Sequence, residues 1–75
     1  MKHLDLHGET IASARRKVEL FVNRNWGSGE DIEIITGHSQ QMRRVVAEVF
    51  ERYAMEWQVG GPLGVDDSYI RSKLR

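Results

Sequence analysis

Two short stretches of this chain alternate apolar and polar residues without a break: Leu4 and Leu6 flank Asp5, and Ile32 and Ile34 flank Glu33. Successive side chains on a strand point to opposite faces, so each stretch reads as a strand with only one face to bury. A sheet built of such strands is covered on one side, which argues for two layers and against a sheet enclosed between helices. The first strand, residues 2–7, then carries His3, Asp5 and His7 on its uncovered side, three groups that can accept or carry protons.

Between and after these strands the apolar period is that of a helix. Beyond Gly8, Thr10 can cap a helix whose apolar face is Ile11, Ala14, Val18, Phe21 and Val22, and the "GSG" at 27–29 ends it. A second helix starts at Ser39, with Met42, Val45, Val46, Val49, Phe50 and Tyr53 as its apolar stripe. From Met55 the period returns to two. Met55, Trp57 and Val59 alternate with Glu56 and Gln58, and Trp57 reads as core rather than as a base-stacking platform. "GGPLG" over 60–64 makes a loop, and "SYIRSKLR" closes the chain as a strand with Ile70 and Leu74 inward. The order is βαβαββ. The expected fold is α+β, a two-layer sandwich with a mixed four-stranded sheet and both helices on one face, in a single domain over residues 1–75. His3, Asp5, His7, Glu33, Glu56, Tyr69, Arg71 and Lys73 fall on the open face.

At 75 residues a single core only just outweighs chain entropy, so most apolar residues are needed for it and few remain for an apolar ligand cavity. The absence of cysteine excludes a disulfide framework and a thiolate metal site, and is compatible with a reducing cytoplasm. No apolar stretch is long enough for a signal peptide or a membrane span, so the reading is cytoplasmic, with no membrane partner. Eleven basic residues balance eleven acidic ones, so overall charge gives no argument for nucleic acid. Eight of the cations fall in three runs: Arg15, Arg16 and Lys17; Arg43 and Arg44; and Arg71, Lys73 and Arg75. Each run by itself is what a solvated face looks like.

Two strand–helix pairs in succession call for a right-handed crossover between parallel strands, which brings the carboxyl ends of both strands to one edge. There His7 and Gly8 meet Thr36, Gly37 and His38, and both helices begin with unpaired N–H groups pointing the same way. Such an edge favours a phosphate. Arg43 and Arg44 sit in the early turns of the second helix, where a cation opposes the helix dipole at about 0.3–1 kcal/mol each. An anionic partner would reverse that sign. The plainer alternative is that Arg44 keeps the helix soluble while Arg43 covers the core edge with its alkyl stem.

"LDLHG", a capped helix, "IITGH", a second amphipathic helix and "VGGPLGVDDSYIRSKL" together resemble the Smr (small MutS-related) domain family, whose signatures are LDLHG, TGxG and a late GGxG before a final strand. The resemblance extends over essentially the whole chain, and the first signature is the most specific. It implies a βαβαββ fold similar to the C-terminal domain of translation initiation factor three, and action on nucleic acid. Smr domains include structure-dependent nicking endonucleases and endoribonucleases, some acting on mRNA at stalled or collided ribosomes. Asp5 and His7 of the first signature become candidates for chemistry, together with His38. Gly8, Thr36, Gly37, Ser39, Arg43, Arg44, Gly60, Gly61 and Gly64 become candidates for nucleic-acid binding. Two departures touch the phosphate loops: Ser39 stands where the family has a second glycine, and 60–64 is one residue longer than GGxG. They bear on cleavage more than on binding.

Two forms of the chemistry follow. With RNA and no metal, His7 or His38 takes the proton of a 2′-hydroxyl, while the other histidine or Arg43 stabilises the phosphorane and Asp5 orients His7. With magnesium, Asp5 is the hard oxygen ligand, phosphate and water completing the shell. The metal-free form is favoured, because a single protein carboxylate is a thin ligand set. His3, His7 and His38 lack the second carboxylate or thiolate of a transition-metal site, and none is assigned. The two function classes are thus an endonuclease acting on RNA or structured DNA and a noncatalytic nucleic-acid- or ribosome-binding module on the same scaffold.

Overall fold

The computed structural model describes residues 1–60 and 66–74. The elements are β1 (Lys2–Asp5), α1 (Ile11–Asn25), β2 (Asp31–Ile35), α2 (Gln40–Arg52), β3 (Trp57–Val59) and β4 (Tyr69–Lys73). They form the expected α+β arrangement, with a mixed sheet in the order β1-β2-β4-β3. β1 runs parallel to β2, pairing Leu4 with Ile34, while β4 is antiparallel to both its neighbours, Ile70 facing Ile34 on one side and Val59 on the other.

This register puts Ile32, Ile34 and Ile70 on one face, and all three are fully buried with Leu6 and Leu74. The helix stripes close over them: Ala14, Val18 and Val22 from α1, and Met42, Val46, Val49 and Phe50 from α2, join the same core. Thr10 caps α1 by accepting the Ser13 N–H (3.1 Å), and Ser39 caps α2 by accepting the Met42 N–H (3.1 Å). At the far end of α2 the Met55 N–H donates to Phe50 O (2.9 Å) and the Ala54 N–H to Glu51 O (3.0 Å), with Ala54 at φ 55°. This Schellman closure folds Met55 back onto Phe50 in the core.

The opposite sheet face is polar and closed on itself. Glu33 lies at its centre, accepting from His3 Nδ1 (3.0 Å) and from the Arg71 guanidinium (3.2 Å), and Arg71 in turn lies over the Tyr69 ring, 5.1 Å from its centroid.

Several expectations need correction. β1 ends at Asp5, not at residue 7, because the Asp5 carboxylate accepts the His7 N–H (2.8 Å) and turns the backbone out of the sheet. His7 therefore leaves the face that holds His3 and Asp5. Leu4 is half-buried, since β1 is an edge strand. Ile11, the first residue of α1, is exposed at the rim of the core. Trp57 is 37% exposed instead of core, because β3 is a three-residue strand on the other edge. Gly61, Pro62, Gly64 and Arg75 lie outside the described residues.

Gly60 has a packing role. It is buried at φ 73°, its N–H donates to Tyr69 O (2.9 Å), and an added Cβ would overlap the Asp66 carbonyl oxygen. Gly8, at φ 80°, has open space where its Cβ would stand. Gly8→Ala is expected to cost about 1–2 kcal/mol, the left-handed backbone alone. Gly60→Ala should cost distinctly more, because backbone must also move, and urea titration of both variants measures the difference.

Candidate nucleic-acid interface

Parallel pairing carries the ends of β1 and β2 to the same edge: the Leu6 N–H still donates to Ile35 O (2.9 Å), and the two loops leave the sheet side by side. Each loop runs into a helix N-terminus, Thr10 on one side and Ser39 on the other. His7, Gly8 and His38 are all exposed there.

In the first loop Asp5 and His7 are joined through the backbone, not through the imidazole. The His7 ring has no partner among the described residues, and Asp5 shapes the turn that presents it. Gly8, with its positive φ, completes that turn, and the Glu9 N–H closes it on Leu6 O (3.1 Å). Glu9 then accepts from Lys17 Nζ and Ser13 Oγ (both 2.7 Å), and these bonds, that from Lys17 foremost, hold its carboxyl below the ordinary range.

The second loop is tied down from β4. The amides of Thr36 (2.8 Å) and Gly37 (2.9 Å) both donate to Ser68 O, and the Thr36 hydroxyl donates to Gly37 O (2.9 Å), so Thr36 is buried and its polar groups serve the fold. Ser39, in the place of the second glycine, uses its hydroxyl as the helix cap.

His38 follows, with its side chain 78% exposed, and its Nδ1–H donates to Asp67 Oδ1 at 2.6 Å. Arg43 reaches the same residue, with NH1 3.1 Å from the Asp67 carbonyl and 3.4 Å from Oδ2. Asp66 alongside accepts the Ser68 N–H (2.9 Å). The hydrogen bond from His38 holds the Asp67 carboxyl below its ordinary range, the nearby Arg43 and His38 charges adding to it, and hydrogen bonds from Ser68 do the same for Asp66.

Arg43 thus has an internal anion, which offsets its unfavourable place in α2, and its stem is largely covered. Arg44, next in sequence, is exposed and has no partner among the described residues.

Asp66, Asp67 and Ser68 escaped the sequence reading. The available signal was the acidic pair in "VDDSYI", immediately before a strand whose antiparallel pairing brings its start to the end of β2. Ligand atoms of His38, Asp66 and Asp67 lie within 4.8 Å of one another, so this is where a hard cation would find donors, rather than at the solitary Asp5. The Arg43 guanidinium on Asp67 opposes such an ion.

The chain matches no family model, no curated protein and no solved structure. Among the described residues no helix is long and apolar enough to cross a membrane.

Because its folded pKa is depressed, the Asp67 charge contributes stability above the unfolded carboxyl value and loses it as pH falls through the folded one. The melting-temperature gap between wild type and Asp67→Asn is therefore expected to be widest above about pH 5 and to close below the unfolded value of about 3.9. A gap that stayed constant down through the acid range would show that the charge does not hold this edge together.

Proposed function

We propose that this chain is an Smr-like nucleic-acid-binding domain that cleaves RNA without a metal, with His38 as general base. The observation that carries the reading is the His38–Asp67 pair. A carboxylate on Nδ1 fixes the ring and its tautomer and leaves Nε2 of this exposed side chain as the proton acceptor. Arg43 holds the carboxylate in turn, so Asp67 and Arg43 are positioning residues.

In this reading His38 Nε2 removes the proton of a 2′-hydroxyl, and the freed oxygen attacks the adjacent phosphorus. A 2′,3′-cyclic phosphate forms as the bond to the 5′-oxygen breaks, and that oxygen takes a proton from the His7 imidazolium exposed at the same edge, or from water. The free amides of the first helix turns and the Gly8 N–H are the donors available to the phosphate. DNA, without the attacking hydroxyl, is not cut.

A noncatalytic nucleic-acid- or ribosome-binding module is the second reading, and a specific observation favours it. The Thr36 and Gly37 amides already donate to Ser68, so the second loop offers fewer donors to a transition state.

Labelled structured RNA and its 2′-deoxy counterpart, incubated with chelator, separate the two. Cleavage of RNA alone is expected, with His38→Ala slower by about 10²–10⁴-fold. Asp67→Asn should lose less and shift the pH–rate profile, as a positioning residue would. Equal residual cutting by wild type and His38→Ala overturns the enzyme. Salt-sensitive binding with no cutting moves the assignment to the binding module.

A further inference from the structure

Two features bearing on a ligand lie away from the catalytic edge. Trp57, expected in the core, is 37% exposed on the edge strand β3, and Arg44 has no anionic partner among the described residues. They line the same groove, an open depression of about 300 Å³ between α2 and β3 whose walls include Gln40, Arg43, Ala47 and Val59. Gln40, Arg43, Arg44 and Ala47 recur at i, i+3, i+4 and i+7, one stripe of α2 beside its buried face.

Among the described residues no acidic side chain lines this groove, although the chain as a whole is balanced in charge. On the other side of Trp57 a second depression, on the polar face of the sheet, is mixed in charge, with Asp31 and Glu56 beside Arg71 and Lys73. Of the two depressions that Trp57 borders, the one beside α2 thus carries arginines with no acid among its described lining residues, which makes it the side better suited to a polyanion.

The groove is also continuous with the site already described. Arg43 lines it and holds Asp67, which holds His38. Trp57 lines the groove from β3 and Arg44 from α2, so the ring and the guanidinium border one depression.

On the nucleic-acid-binding reading above, we infer that this groove is a nucleotide subsite for single-stranded RNA: an unpaired base stacks on Trp57 while Arg44 takes the neighbouring phosphate. Aromatic faces accept any base, and only an unstacked base can offer its own face, so the subsite selects single strands over duplex with little preference for sequence.

Fluorescence anisotropy with a short 2′-O-methyl oligouridine, which binds but lacks the attacking hydroxyl, tests this. Trp57→Ala should weaken binding by about 5- to 150-fold, the worth of one stacked base, and Trp57→Phe should restore most of it. Arg44→Ala should reduce the slope of log affinity against log salt by about 0.7, the share of one single-strand phosphate, while Arg24→Ala, another arginine without a partner among the described residues, should leave the slope unchanged. A duplex of the same length should be indifferent to Trp57. Wild-type affinity in Trp57→Ala, or equal slopes for the Arg44 and Arg24 variants, overturns the subsite and leaves the binding reading intact. A wild type that binds no strand at any salt overturns both.

Discussion

Parallel pairing of β1 with β2 is the constraint from which the rest of the molecule follows. Parallel neighbours cannot be joined by a hairpin, so α1 must cross over the sheet to connect them, and the one-sided strands leave only the apolar face for it to cover. Both loops and both helix N-termini consequently open at the same edge. β4, antiparallel to β2, begins there too, and its Ser68 carbonyl takes the Thr36 and Gly37 amides while Asp67 takes His38. One pairing thereby gathers residues from three separate segments.

The charge distribution has a similar logic. A balanced chain can interact with a polyanion only through cations its own acids leave unused. Arg15 is paired with Glu48, Lys17 with Glu9, Arg43 with Asp67, Arg52 with Glu19 and Arg71 with Glu33. The polar face of the sheet is closed by such pairs, so it offers a polyanion little. Exposed ion pairs of this kind add little to stability, and their larger effect is on which cations remain available. Among the described residues Arg16, Arg24, Arg44 and Lys73 remain, and of these Arg44 shares with an exposed indole a groove free of acids among its described lining residues.

Strict positional requirements in the loops are those of the fold before they are those of any ligand. Gly60 is a glycine because the Asp66 backbone occupies the space a side chain would need, and Ser39 ends its loop as a helix cap. Asp5, two residues before His7, has the spacing of a catalytic pair and the geometry of a turn, its carboxylate closing on the His7 amide. Residue types that suit phosphate contact also suit tight turns, since both need small side chains and free backbone donors.

What the sequence determined by itself is everything that depends on local period and end chemistry: one-sided strands at β1 and β2, apolar stripes on α1 and α2, caps at Thr10 and Ser39, the inward Ile70 and Leu74, and hence a two-layer α+β fold. A period of two or of 3.6 is written in neighbouring residues and needs no knowledge of what lies across the core. The tertiary structure alone decided the partners. His38 meets Asp67 from 29 residues away, Arg43 meets it from 24, and Trp57 is exposed because its strand falls at the sheet edge. Strand order and register choose which distant residues become neighbours, and no local pattern carries that information.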